Sequence, residues 1–347
     1  VATNLKDEVR MLKDIYFNKE YGKLYEKMEN GKCVSFALYH ALGSVQHLFL
    51  KREIPIDSAG RGPYYDLITP YGYGGPIIEA ASEESKKELA DLFFREFRKY
   101  CTAENIVSEF IRFHPVLNNA ADFKEWYAIN FMRNTVQTRL IGTEDPLMTE
   151  YSPSVRRHIR KALEQGVGYK VSVNPSNLDQ FKDLYFQTMH RNKADAYYYF
   201  DDEYFEQCLH LLGPQLVVVE VTWKGAVIAM SLNFFSNGVL HVHLTGSLEQ
   251  YHDLHAPNML QYALLQWGME NGVKLIHHGG GRTNDLDDKL YLYKKKYGRA
   301  QELEFYVGKK IWNLEIYNIL CREAGVGEDD SFFPAYRKEI RMNREAK

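Results

Sequence analysis

Apolar residues recur along this chain with two different periods, and the switches between them divide it into elements. A helix is expected up to about Tyr16. Cys33 to Tyr39 and Val45 to Lys51 are β-prone apolar runs on either side of Gly43, which predicts a hairpin. Tyr65 to Thr69 is a short strand entering the turn Pro70-Tyr-Gly-Tyr-Gly-Gly-Pro76. Ser82 and Ser85 stand where a helix cap belongs, with Glu88 at capping-box spacing from Ser85. Leu89, Leu92, Phe93 and Phe97 then follow at helical spacing to about Tyr100. Ile106 to Phe113, Trp126 to Phe131 and Thr135 to Ile141 read as three further strands.

The second half has a similar order. Leu216 to Trp223 and Ala226 to Phe235 flank Lys224-Gly225, another hairpin pattern, and Val239 to Gly246 is a third strand. Pro257 to Gly272 is a helix with Leu260, Ala263, Leu264 and Trp267 on one face, and Val273 to Ile276 is the strand after it. Between the halves, Ser152 to Val167 is a helix capped by Ser154, with Val155, Ile159 and Leu163 as its apolar stripe. Leu178 to His190 is a second helix. The tail from Ile311 to Arg344 reads as two helices joined by a turn at Gly325 to Asp330. Hairpin, strand, special turn, helix and strand thus occur twice, which suggests duplicated α/β (α+β) domains, residues 1–150 and 151–347.

Composition changes this picture little. A chain of 347 residues has room for two domains, and 45% hydrophobic with 26% charged residues is ordinary for a globular protein. No apolar run approaches the ~20 residues of a membrane helix. The start, Val-Ala-Thr-Asn-Leu-Lys, lacks a basic region followed by an apolar stretch, so no signal peptide is expected. Cys33, Cys101, Cys208 and Cys321 are far apart, form no CxxC pair, and are expected to be reduced and mostly buried, as in a cytoplasmic protein. A net charge of −3 argues against a general nucleic-acid binder. Basic clusters at Arg156, Arg157, Arg160 and Lys161, and at Lys294 to Lys296 with Arg299, leave contact with a limited stretch of RNA open.

The densest chemistry lies between His277 and Gly298. An apolar strand runs into Gly279, Gly280 and Gly281, and Leu290-Tyr-Leu-Tyr-Lys-Lys-Lys-Tyr-Gly298 follows. Glycines let a backbone approach a ligand closely, and the ammonium groups suit an anion or a developing negative charge. This glycine and Tyr-Lys-Lys-x-Tyr-Gly arrangement resembles the signature of the FemABX-like branch of the GNAT superfamily. Tyr64-Tyr-Asp-Leu-Ile-Thr-Pro-Tyr-Gly-Tyr-Gly-Gly-Pro76 is similar to a segment of the first domain of such proteins, and the likeness covers roughly residues 30 to 320.

The resemblance implies two tandem GNAT-like domains, each a mixed, mainly antiparallel sheet flanked by helices. It implies an acyl donor held in the second domain where the strands Val239 to Gly246 and Val273 to Ile276 splay apart. Lys294 would stand near the reacting carbonyl, with Lys295 as the equivalent if the register shifts by one. Thr245 and His243 are further catalytic candidates, a histidine serving as general base. Gly279, Gly280, Gly281, Arg282, Tyr293 and Lys295 would contact the donor. Tyr71 and Tyr73 would line the acceptor groove. Tyr198, one of three consecutive tyrosines, and Arg157 and Arg160 of the linker helix join them as acceptor-side candidates.

An acetyl-CoA enzyme of this superfamily normally carries a glycine-rich pyrophosphate loop opening a helix. Here the corresponding segment, Ser247 to Met259, has two acids and no glycine. The FemABX-like branch instead takes its acyl group from aminoacyl-tRNA. The leading expectation is an aminoacyltransferase that moves an amino acid to an amine acceptor, in the known family the peptide stem of a peptidoglycan precursor. The alternatives are an N-acyltransferase using acyl-CoA or another thioester on an amino sugar or small amine, and a non-catalytic binding protein. No cofactor beyond the co-substrate is expected, and no metal, because the histidines lack typical zinc-site spacing. Peripheral membrane contact and oligomeric state stay open.

Overall fold

The computed structural model describes residues 14–55, 62–299, 302–327 and 330–338. By internal contacts the chain forms two units: Tyr16–Met132 with Phe305 onward, and Arg133–Glu304 with Asp14 and Ile15. This division differs from a cut at 150/151. The chain leaves the first unit within one strand and returns within another, so its C-terminal helix belongs to the first unit.

The first unit begins with two short helices, α1 (Lys19–Lys23) and α2 (Glu26–Glu29). The hairpin β1 (Gly31–His40) and β2 (Gly43–Glu53) follows, then β3 (Tyr65–Ile68), β4 (Ile77–Ala80), α3 (Ser85–Ala103), β5 (Ile106–Arg112) and β6 (Ala128–Arg139). Strand order in this unit is β1-β2-β3-β5 and then the returning strand at 305–311, with β4 also on β2. β3 and β5 pair in parallel, while β1 with β2, β2 with β3, β2 with β4, and the returning strand with β5 pair antiparallel. The helical spacing of Leu89, Phe93 and Phe97 puts them on one buried face of α3 against Val45, Phe49, Leu67 and Ile111. The helix expected up to about Tyr16 falls mostly outside the described residues; within them Ile15–Phe17 form a 3-10 turn.

The second unit takes up the chain inside β6. It contains α4 (Pro146–Glu150), α5 (Pro153–Glu164), β7 (Gly168–Val173), α6 (Asp179–Arg191), α7 (Asp202–Leu212), β8 (Leu216–Trp223), β9 (Ala226–Ser236), β10 (Val239–Ser247), α8 (Ala256–Glu270), β11 (Leu275–Gly280) and α9 (Lys289–Lys295). Its sheet runs β6-β11-β10-β9-β8-β7, antiparallel except for β10 with β11. Val155, Ile159 and Ala162 of α5 and Met259, Leu260 and Leu264 of α8 bury against Val217, Val219 and Ile228. β12 (Glu302–Ile311) leads back to the first unit and α10 (Leu314–Glu323), which packs Ile316, Tyr317 and Leu320 against Val107. Both units are mixed, mainly antiparallel sheets with helices against them.

Several expectations need correction. β6 is one strand where two were expected. The polar break at Arg133 and Asn134 is tolerated because Arg133 donates to two backbone carbonyls and Asn134 to Glu302. Ser152, not Ser154, caps α5, and Leu163 is 45% exposed while Ala162 completes the buried stripe. β11 starts later than expected and runs through His277 and His278 to Gly280, so two of the three glycines are strand residues. In the tail, α10 is present and Ala335–Arg337 is a single 3-10 turn; residues 339–344 lie outside the described part. The four cysteines are buried and outside any disulfide. Among the described residues no helix is long and apolar enough to cross a membrane.

Candidate active site

β10 and β11 run side by side for only three residues, Val239↔Leu275, Leu240↔Ile276 and His241↔His277. Beyond that, β10 continues to Ser247 and β11 to Gly280 without pairing to each other. Each strand has an irregularity just beyond the paired stretch. β10 shifts register on β9 between Val242 and Leu244, and β11 shifts on β6 between His277 and Gly279. A bulge adds an unpaired residue and bends its strand, and two bulges at the same level turn the strands apart. The parted edges present backbone N–H and C=O groups that water or a ligand must satisfy. The splay expected from the resemblance is thus a property of this sheet.

At the end of the β11 arm, the Lys294 ammonium donates to the Gly280 carbonyl at 2.8 Å. Lys294 is half-buried on α9. Desolvation and then the nearby Arg133 guanidinium lower its amine, against the opposing pull of Asp288, to about 8. The next residue serves a different purpose. Lys295 forms an ion pair with Glu302 at 2.5 Å and is 50% exposed. Of the two registers left open by the sequence, only the first brings an ammonium to the glycines.

The glycine segment is held from two sides. Gly279 takes a φ of +71 at the bulge, where a side chain would strain the backbone. A Cβ on Gly281 would come within 2.6 Å of Asp288 Oδ1. Arg133 donates to the carbonyls of Gly281 and Arg282. Asp288 accepts from the backbone N–H groups of Arg282 at 2.9 Å, Thr283 at 3.0 Å and Tyr291 at 2.9 Å, which caps α9 and closes the loop. These bonds, led by that to Tyr291, hold its carboxyl down to about 2. The Arg282 side chain itself is exposed. Tyr293 is half-buried, edge-on to Tyr297 at 5.3 Å, and burial pushes its hydroxyl up to about 12.

Asp288→Ala should therefore cost about 1 kcal/mol of stability as a lost cap. It should also expose the Arg282 and Thr283 amides to hydrogen exchange. Unchanged protection of those amides would mean that Arg133 holds the loop by itself.

On the β10 arm, His243 occupies the bulge, and its Nε2 is 2.7 Å from the Tyr204 hydroxyl. Burial and then His241 push the ring down to about 3, which leaves it neutral and a weak proton acceptor near pH 7. Thr245 follows, paired with Ser231 of β9, its hydroxyl half-buried and without a side-chain hydrogen bond among the described residues. His241 pairs with Asp14 at 2.7 Å. Tyr198 is 40% exposed, and its carbonyl accepts from the Tyr185 hydroxyl at 2.7 Å. Arg157 and Arg160 lie exposed on α5. In the first unit, the Tyr71 carbonyl accepts from the Tyr21 hydroxyl at 2.8 Å, and Tyr73 stands edge-on to Tyr16 and Phe305 at 5.3 and 5.1 Å.

Sequence reasoning missed Asp288, Arg133 and His278 as parts of this site. Asp288 had a readable trait, an Asp directly before a helical aromatic–basic run. Arg133 had none, since its carbonyl partners lie about 150 residues away in the sequence.

Residues 151–295 match the family model described as an acetyltransferase (GNAT) domain. That is the segment holding both arms of the splay and Lys294. Among solved structures, FemX matches with a TM-score of 0.70 at 14% identity, covering 92% of this chain and 98% of that one. The C-terminal domain of a protein from Agrobacterium fabrum described as a lysylphosphatidylglycerol synthetase matches with a TM-score of 0.53 at 12% identity, over 93% and 97%. L-PGS from Bacillus licheniformis matches with 0.50 at 15%, over 91% and 100%. At these identities the likeness is one of fold: the chain has the two-unit, GNAT-like fold of FemX. No curated protein matches it by sequence.

Proposed function

We propose that this protein is an aminoacyltransferase that passes an amino acid from aminoacyl-tRNA to an amine on an acceptor. The observation that carries the reading is the Lys294 ammonium at the mouth of a parted strand pair, with a segment after β10 that lacks the glycines of a pyrophosphate loop. In the reaction the amine nitrogen bonds to the ester carbon, the carbon–oxygen bond breaks, and the amine proton ends on the released ribose hydroxyl. An ester becomes an amide, so the protein needs chiefly to position the reactants and stabilise an oxyanion. Lys294 spends one N–H on Gly280 and keeps two for that oxyanion. No further cofactor enters the scheme. A peptidoglycan-precursor peptide is the acceptor that the FemABX-like resemblance suggests, with Tyr71, Tyr73, Tyr198, Arg157 and Arg160 as candidate contacts. Four buried thiols outside any disulfide fit a cytoplasmic setting.

The match of residues 151–295 to an acetyltransferase model favours a second reading, an acyl-CoA-dependent N-acyltransferase. Binding of aminoacyl-tRNA and of acetyl-CoA, measured side by side at two salt concentrations, separates the two. Salt-sensitive binding of charged tRNA without CoA binding is the expected result. CoA binding without RNA binding would replace the first reading by the second.

A further inference from the structure

Beside Lys294 lies a buried imidazole to which the scheme above gives no task. His278 sits in the irregularity of β11 and is 2% exposed. Its Nε2 is 2.7 Å from Thr138 Oγ1, and the Thr138 hydroxyl donates to the Tyr297 carbonyl at 2.6 Å. A hydroxyl has one proton to give. Thr138 therefore accepts from His278, and the ring carries its hydrogen on Nε2. Among the described residues Nδ1 is buried with no partner, so a second proton there would be an unsatisfied buried donor. The ring is neutral on geometric grounds, and burial with the adjacent Lys294 charge pushes it the same way, down to about 3.

The neighbouring His277 makes a parallel contact. Its Nε2 is 3.1 Å from Thr135, whose hydroxyl donates to the Leu303 carbonyl at 3.3 Å. Both contacts tie β11 to β6, but only the chain through His278 ends on the segment carrying Lys294. The Tyr297 N–H bonds back to the Lys294 carbonyl at 2.9 Å, and the Tyr297 hydroxyl donates to Asn258 at 2.5 Å. Tyr297 is thus the fixed end of α9, and its carbonyl is held by the Thr138–His278 pair.

We infer that His278 is the positioning residue of the Lys294 amine, acting through Thr138 and the Tyr297 carbonyl to hold α9 against β11. The inference rests on Lys294 being the functional amine of the proposed reaction. The charged and titratable groups facing that amine are Arg133 from β6, Asp288 from the loop before α9, and His278 from β11. A neutral ring that donates on one side adds no charge to this set while fixing how deeply the amine is desolvated.

The test is the titration of Lys294 itself, by competitive acylation of the whole protein with acetic anhydride across a pH series and mass-spectrometric readout. It needs neither donor nor acceptor, so failure of the transferase reading and failure of this inference are separable. The wild-type midpoint is expected near 8. Thr138→Val removes the link with little change of shape, and His278→Asn places an amide at the Nδ1 position, out of reach of Thr138. Both should raise the midpoint by about one unit toward an ordinary lysine, a tenfold change in the free-amine fraction. His278→Gln puts its amide nitrogen where Nε2 was and should restore the wild-type midpoint. Should His278→Asn fail to fold, Thr138→Val carries the comparison. Wild-type midpoints in Thr138→Val and His278→Asn would overturn the inference. A midpoint in His278→Gln displaced as far as in Thr138→Val would overturn it too.

Discussion

Lys294→Ala should lower acyl transfer by about 100-fold or more in a single-turnover assay, with the melting curve unchanged. That factor corresponds to about 2.7 kcal/mol of transition-state stabilisation. The expected size follows from where the ammonium stands. It is half-buried, bonded to the Gly280 carbonyl, and desolvated enough to titrate near 8. A charge so placed acts more strongly on a developing oxyanion than one in water. Lys295→Ala is the internal control. Its ammonium is half exposed and occupied by Glu302, so a change of at most a few-fold is expected. Because the charged form is the one that stabilises an oxyanion, the Lys294 contribution should be present below about pH 8 and fade as pH rises through it. The acceptor amine must lose a proton to attack, so the combined profile should be bell-shaped. Full wild-type turnover by Lys294→Ala would remove this residue from the chemistry.

The largest stability effect is expected in the first unit, at Asp66. This carboxylate is fully buried and accepts from Arg52 Nε at 2.8 Å, from Arg337, and from the Tyr336 hydroxyl at 3.2 Å. Arg52 also reaches Glu29 at 2.8 Å, and Arg337 reaches the Glu53 carbonyl at 2.8 Å. Asp66→Ala would leave two buried guanidiniums facing each other without their shared anion. Breaking such a group by removing one partner typically costs about 3–5 kcal/mol. A shift in the urea midpoint of the first unit's transition checks this, and a loss below 1 kcal/mol would mean that the arginines find water instead. Burial alone would raise the Asp66 carboxyl, but Arg52 and Arg337 together outweigh it and hold it below the usual carboxylate range. The stability it contributes is then complete above the unfolded value of ~3.9 and lost as pH falls through the lower folded value. Asp66→Ala should lack that acid limb.

Much of the architecture was legible because apolar periodicity reports one-sided burial. The α3 face of Leu89, Phe93 and Phe97 and the hairpin around Lys224-Gly225 formed as expected. β12 went unseen although Leu303, Phe305 and Val307 alternate, because three glutamate and lysine positions between and after them mask the pattern. β6 reads as two strands because polar residues in mid-strand look like a break unless their partners are known. Sequence order places the C-terminal helix in the nearer domain, since it says nothing about a strand that carries the chain back.

Sequence by itself determined many of the elements, the recurrence of an α/β order, and the concentration of glycines and lysines between His277 and Gly298. These follow from local propensity and from residue types, which act over a few positions. Tertiary structure decided what those residues touch. It separated Lys294 from Lys295 by giving one a backbone carbonyl and the other a surface carboxylate. It revealed matched bulges at His243 and His278, which depend on three neighbouring strands at once. It also brought Arg133, Thr138 and Asp288 to the glycine segment. Such contacts join residues far apart in the chain, and their energies depend on burial that no local window of sequence contains.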